Sequence, residues 1–471
     1  MRLLKIFLAS LGFRRSVLGV TPPLGIMYIA AYLRQKLNVE IRIVNQKISN
    51  MPNDELVKQA KEFGADIVGL SMLTTNAHSL PYITSNLKVV LPDALIVIGG
   101  PHVSAFGEKS LEGNLADVAV PYEGELAFEL VINAYSGGGN MADVPGIFRR
   151  AEEGIVTNPG ITPLVEDIDS LPFPAYDLID LEPYWKIQAM TLLMHRKYVA
   201  LFSSRGCPFR CIYCHRIFGD RLRIHSAQRV VEEMRFYMKK YGINDFEIYD
   251  DIFNHDKKRL FEICELIGKL GTKIGLSFPN GLRVDELSES SIDALTDAGM
   301  YYCSCPLESG SPRLQKLIGK NLNIRKYLEN VKYAASKRIF TFGFVMMGFP
   351  TETEEDLKQT LEVTCMSKLH AVSFYTLTPF PNTKIYDIAL KNNPEKLRNI
   401  NYEDKEYSHI RFNLADVPDE TLFYYQRKAN RDFYMNPSRI ARIVRDFPQT
   451  RRLPLYIPEY FKRLSKGIFV K

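Results

Sequence analysis

Short apolar runs alternate with stretches of helical period along most of this chain, and that rhythm sets its fold class. Residues 4–9, 41–44, 67–71, 95–98 and 118–120 are apolar runs too short for helices and are expected to be buried strands. Between them, residues 23–36, 53–63, 78–90 and 125–134 space their apolar positions as amphipathic helices do. Strand–helix alternation of this kind predicts a doubly wound, Rossmann-like parallel sheet. Such sheets take ligands beyond the C-terminal ends of their strands, which here are residues 10–23, 71–78, 99–103 and 122–125.

Residues 145–157 alternate around Glu152-Glu153-Gly154 and predict a β-hairpin. Residues 167–174 follow, where Pro172 and Pro174 forbid regular helix and central strand. From 196 to 390 the strand-then-helix unit repeats six times, with strands at 198–202, 245–249, 275–278, 301–306, 341–346 and 371–375. That predicts a partial (β/α)6 barrel of TIM type, with its chemistry at the C-terminal strand ends. The expected organisation is an α/β domain at 1–140, a hairpin and proline-rich linker at 141–195, the barrel at 196–390, and a small, mostly helical region at 391–471. In the last region a helix over 420–434 is expected to lay its aromatic side on the barrel mouth.

Apolar content of 46% and charged content of 24% are those of a soluble globular protein. No run approaches the ~20 apolar residues a transmembrane helix needs, and the apolar start at residues 3–9 is too short for a signal peptide. Seven cysteines, three of them in one loop, argue against a disulfide framework and for a reducing cytoplasm. The net charge is +6, but residues 427–471 hold twelve Lys/Arg against Asp432, Asp446 and Glu459. Such a basic tail is either a solvated surface or a contact for an anionic substrate, a partner or a lipid surface.

The three crowded cysteines lie in Gly206-Cys207-Pro208-Phe209-Arg210-Cys211-Ile212-Tyr213-Cys214, directly after the first barrel strand. Thiolates are the usual ligands of iron–sulfur clusters, and three of them would hold three irons of a four-iron cube and leave the fourth open. The other readings are core cysteines, or a structural zinc with His215 as fourth ligand. Cys264 and Cys365 fall on predicted helices and Cys303 and Cys305 on the fourth barrel strand, as core residues would.

The C-x3-C-x2-C spacing, with an aromatic before the last Cys, resembles the radical S-adenosylmethionine (SAM) family. The resemblance implies a 4Fe–4S cluster on Cys207, Cys211 and Cys214, SAM on the open iron, and Tyr213 against its adenine. Later strand ends agree. Asp250 and Asp251 are placed to bind the SAM ammonium and Arg283 its carboxylate; Glu308 and Ser309 open an E-S-G-S segment like the family's ribose-binding one. Gly348 and Pro350 belong to a G-x-P-x-E-T turn like the one beside the adenine, and Asn382 replaces the glycine of the family's P-G-T.

The N-terminal third resembles the cobalamin-binding domain of cobalamin-dependent radical SAM enzymes. The match is carried by four loops in order: Thr21-Pro22-Pro23-Leu24-Gly25, Gly69-Leu70-Ser71, Gly99-Gly100-Pro101-His102 and Glu123-Gly124-Glu125. The D-x-H-x-x-G signature is absent, because residues 10–17 contain no His, so a histidine ligand to cobalt is not implied.

Together these resemblances imply reductive cleavage of SAM to a 5′-deoxyadenosyl radical and methylation of an unactivated carbon of a small molecule or lipid through methylcobalamin. The rival is a ring-forming cyclase like the anaerobic cyclase of chlorophyll synthesis. A methylthiotransferase would need a second cluster on three N-terminal cysteines, and none precedes Cys207. The partners implied are the substrate and an electron donor such as a reductase, ferredoxin or flavodoxin, with peripheral membrane contact as one use of the basic tail and no nucleic acid.

Overall fold

The computed structural model describes residues 2–12, 19–400, 402 and 412–458. They form two compact units. One runs up to Arg196 and includes His215–Ile224 and Tyr402; the other holds Lys197–Cys214 and most of the chain from His225 onward.

The first unit is built on strands β1 (Leu4–Ser10), β2 (Val39–Asn45), β3 (Ile67–Ser71), β4 (Leu95–Gly99), β5 (Val118–Val120), β6 (Phe148–Ala151) and β7 (Gly154–Thr157), in the spatial order β2-β1-β3-β4-β5-β6-β7. The first five are parallel, and the strand order reverses between β1 and β3. Apolar residues on one side, among them Phe7, Ala9, Val68, Leu70, Ile96 and Ile98, share a core with Leu56, Val57, Ile83 and Leu87 from the covering helices. Strand register aligns the C-terminal rim: Ser10 lies opposite both Asn45 and Ser71, and Ser71 opposite Gly99.

The hairpin is not a separate linker. Strand β6 pairs antiparallel with β5 through Ala119 and Phe148, so β6 and β7 extend the first sheet. The proline-rich stretch after it is also part of this unit, with Ile168 and Leu171 buried and the Ala175 amide bonded to the Met27 carbonyl at 3.1 Å. The expected boundary at 140 therefore moves to Arg196, because β5 would otherwise leave an open sheet edge.

The second unit is a six-stranded parallel sheet of β8 (Val199–Leu201), β9 (Asp245–Ile248), β10 (Gly275–Phe278), β11 (Met300–Glu308), β12 (Phe340–Met347) and β13 (Ala371–Thr376), laid side by side in chain order. Helices Ala227–Tyr241, Lys257–Gly268, Glu289–Asp297, Ile324–Ser336 and Glu354–Met366 fall between successive strands, as a partial barrel requires. Cys264, Cys303 and Cys305 are buried and Cys365 is half-buried, in keeping with packing roles.

The aromatic helix Asp419–Tyr434 corrects one expectation. It caps the open edge of β13 instead of laying its aromatic side over the barrel mouth. The Tyr434 hydroxyl donates to the Val372 carbonyl at 2.6 Å and accepts from the Val372 amide at 3.0 Å, and Gln426 donates to the Phe374 carbonyl at 3.0 Å. Those are the backbone groups a lone edge strand would leave exposed. The following helix, Pro437–Asp446, spends its cations on the barrel base. Arg439 donates to the carbonyls of Leu369, Cys365 and Ser367, Arg442 to Leu369, and Arg445 to Asp446. Much of the described basic tail is thus consumed inside the protein. Among the described residues no helix is long and apolar enough to cross a membrane.

Candidate active site

The cysteine loop leaves β8 and is pinned at its middle. The Ile212 amide donates to the Ile318 carbonyl at 3.0 Å, and the Ile212 carbonyl accepts from the Ile385 amide at 3.0 Å. The Tyr213 ring packs 6.0 Å from that of Phe349, centroid to centroid. Cys207 and Cys211 are half-buried and Cys214 is exposed at its surface. Enclosure by protein nevertheless pushes the Cys214 thiol up to about 12 and raises Cys207, with neighbouring thiols and Asp251 adding to both shifts. Among the described residues no three thiol, carboxyl or imidazole groups converge to hold a single metal ion, which a zinc with His215 would need. Three thiols spread along one rigid loop suit the corners of a larger four-iron cube.

Asp250 and Asp251 separate here. Asp250 is buried and accepts from the Ser203 amide at 2.6 Å and from the Ser203 and Ser204 hydroxyls, with Arg259 nearby. It ties β8 to β9. Asp251 is the carboxylate that faces the cysteine loop. It is open at its surface yet enclosed by protein, accepts from the Gly206 amide, and is raised to about 6 by burial and by Asp250.

The Arg283 guanidinium is paired with Asp285 at 3.0 Å and lies 4.2 Å from the Phe209 ring centre, so it braces the cysteine loop. Glu308 ends β11 in the left-handed region, φ +64, and pairs with buried Lys320 at 3.0 Å. The Ser309 hydroxyl lies 3.0 Å from the Thr360 hydroxyl, which ties down this turn. Pro350 is buried, and Gly348 (φ +94) donates to Glu352.

In the first unit the rim residues divide in the same way. Gly100 has φ +88, and a Cβ there would lie 2.7 Å from the Ser71 hydroxyl, so glycine is required by the fold itself. Gly99 sits at the end of β4 beside the Val120 carbonyl. A Cβ on Gly124 would meet only the end of the Ile29 side chain, and Gly25 faces open space. Glu123 is buried in a two-pronged ion pair with Arg223. What remains is a set of buried polar atoms with no hydrogen-bond partner: Asn76 Nδ2, His78 Nδ1, Ser79 Oγ and His102 Nδ1. Burial holds His102 down to about 4, so its ring is neutral. All four lie in the turns after β3 and β4, where a polar ligand would satisfy them. Residues 13–18 of the loop after β1 lie outside the described residues.

A B12-binding domain model matches residues 11–132 and a radical SAM superfamily model residues 201–364. The uncharacterised methyltransferase PH0819 of Pyrococcus horikoshii is 30% identical over 90% of this chain and 90% of its own. The chain belongs to the cobalamin-dependent radical SAM family. Cytidylyl-2-hydroxyethylphosphonate methyltransferase of Streptomyces wedmorensis is 27% identical over 89% of this chain and 88% of its own. The anaerobic magnesium-protoporphyrin IX monomethyl ester cyclase of Rubrivivax gelatinosus is 24% identical over 79% of this chain and 66% of its own. The fold matches OxsB, a cobalamin-dependent SAM radical enzyme, with a TM-score of 0.75 at 17% identity, covering 99% of this chain and 72% of that one. Membership brings cobalamin, SAM and a 4Fe–4S cluster as cofactors.

The turn after β12 also holds a fully buried acid. Glu352 accepts from the amides of Gly348 and Phe349, its other oxygen is buried without a partner, and burial raises its pKa from 4.5 to about 8. A carboxyl raised on folding lends stability that is full below about 4.5 and is lost as pH rises through about 8. Glu352→Gln keeps a carbonyl acceptor for the two amides and cannot ionise. Its melting temperature should match wild type near pH 5 and exceed it at pH 9, a gain on the order of a few kcal/mol. Thermal melts across that range check this; parallel curves for the two proteins would contradict it.

Proposed function

We propose that the protein methylates an unactivated carbon of a small organic substrate. The observation that carries this reading is one chain holding both a pinned loop of three thiols and a sheet rim with unsatisfied polar atoms, each suited to its own cofactor. When bound, the cluster and SAM supply a 5′-deoxyadenosyl radical and cobalamin supplies the methyl group. The chain's part is to place and shield them. Cys207, Cys211 and Cys214 hold the cluster. Asp251, beside the cysteine loop, meets the SAM ammonium in a charge-assisted hydrogen bond. Tyr213, held against Phe349, flanks the adenine, and Glu308 with Lys320 meets the ribose.

Methylation is favoured over ring closure because the methyltransferase relatives match at higher identity, and over more of their own length, than the cyclase does. The substrate class is a small molecule or lipid, and the electron is supplied by a reductase, ferredoxin or flavodoxin. To test this, the reconstituted enzyme is incubated anaerobically with methyl-deuterated SAM, a reductant and fractionated small-molecule or lipid extracts. The expected product carries three deuteriums on a new carbon–carbon bond. A product that has lost hydrogen or closed a ring, with no label, would favour the cyclase reading.

A further inference from the structure

Three strand-end segments of the first unit meet at one point. Gly12 follows β1 with φ +136, and its amide donates to the buried Gln46 side chain at 2.9 Å. A Cβ on Gly12 would lie 2.4 Å from Lys47 Cε and 2.8 Å from the Asn76 amide nitrogen. Lys47 comes from the short helix after β2, and Asn76 from the turn Thr74–Ser79 after β3. Their convergence depends on the order β2-β1-β3, and it falls where that order reverses, the usual ligand crevice of such sheets.

Both side chains are donors without acceptors. Asn76 is only 9% exposed and its Nδ2 has no hydrogen-bond partner. The Lys47 ammonium has no ion pair or hydrogen bond among the described residues, and burial lowers its pKa. An ammonium has three N–H groups and no acceptor, and a poorly solvated cation is tolerated when an anion compensates it. Gly12, lacking a side chain, puts no Cβ between Lys47 and Asn76. The ligand that fits here presents an anionic oxygen. In cobalamin the corrin side chains are neutral amides, and the nucleotide tail carries a phosphodiester.

We propose that Lys47 and Asn76 form the subsite for the phosphodiester of cobalamin's nucleotide tail. This rests on the cobalamin-binding reading of the first unit, and all three converging residues fall within the matched B12-binding segment. The test uses two corrinoids: aquocobalamin, and cobinamide, which lacks phosphate, ribose and base. Each is titrated by absorbance into the full-length wild type, Lys47→Met and Lys47→Arg. Losing a charge-assisted contact should weaken cobalamin binding to Lys47→Met about 10- to 100-fold. Cobinamide affinity should stay within about twofold, and Lys47→Arg should recover most of the cobalamin affinity. Retained cobinamide binding doubles as the folding control.

If Lys47→Met binds both corrinoids as wild type does, the subsite is wrong. It is also wrong if affinity for both falls by one factor in a variant that melts as wild type does. A wild type that took up neither corrinoid would defeat the cobalamin reading itself. One that bound both with equal affinity would defeat the subsite alone.

Discussion

Replacing Cys207, Cys211 or Cys214 by alanine should abolish formation of 5′-deoxyadenosine from SAM. Each thiol is expected to hold one corner of a four-iron cube, so any single loss leaves two protein ligands on a cluster that already has one open iron. The backbone gives no reason for the other two to move. The loop is fixed through Ile212 by its bonds to Ile318 and Ile385 and through Tyr213 by its packing on Phe349, none of which involves a thiol. Iron should therefore fall well below the about four per chain expected after anaerobic reconstitution, while the melting of the apo chain should scarcely change. Cys264→Ala serves as the control, since that thiol is buried on helix Lys257–Gly268. Continued 5′-deoxyadenosine formation by a variant lacking one of the three loop thiols would remove the cluster from this site.

The second large effect is expected at Glu308. Its carboxylate and Lys320 are a buried pair, with side chains 9% and 5% exposed, at a point where β11 slips in register against β12. Glu308 also sits in the left-handed region, which a side chain disfavours and which persists where the surroundings over-determine it. Truncating it to alanine strands the lysine as an uncompensated charge, which costs about 3–5 kcal/mol. Glu308→Ala should thus lower the melting temperature and weaken SAM about 10- to 100-fold at once. The two effects come apart in Glu308→Gln with Lys320→Met. That double variant should regain most of the stability because no charge is left buried, while SAM affinity remains low. If the double variant regained SAM binding along with stability, Glu308 would be a structural residue only.

The architecture was legible because it is written in short-range periodicity. Strands Ile67–Ser71, Val118–Val120 and Gly275–Phe278 fall where the apolar runs place them, and the cysteine spacing needs only eight consecutive residues. The partners were not legible, because they are set by strand order and by distance along the chain. Asp250 and Asp251 are adjacent and chemically identical. Only the β8–β9 pairing shows that the first is spent on Ser203 and Ser204 and the second faces the thiols. Glu123 reads locally as a rim residue, and its partner Arg223 lies a hundred positions away. Thr360 on Ser309 and Lys320 on Glu308 follow the same rule. Lys47 and Asn76 were missed for the opposite reason. Neither belongs to a motif, and their meeting at Gly12 exists only in the folded order β2-β1-β3. The hairpin is legible locally but reads as part of a linker, since nothing in its own residues reveals that β5 needs a neighbour.

One chain is proposed to carry both a SAM-cleaving cluster and a methyl-carrying corrinoid. The most direct test is to reconstitute the full chain anaerobically with iron, sulfide and cobalamin. Methyl-deuterated SAM and a reductant are then added, and both the nucleoside formed and the mass of the extracted corrinoid are measured. The expected result is 5′-deoxyadenosine that disappears in Cys211→Ala, together with a corrinoid bearing the deuterated methyl. A corrinoid that stays bound but never acquires the label, or 5′-deoxyadenosine that survives loss of Cys211, would contradict it.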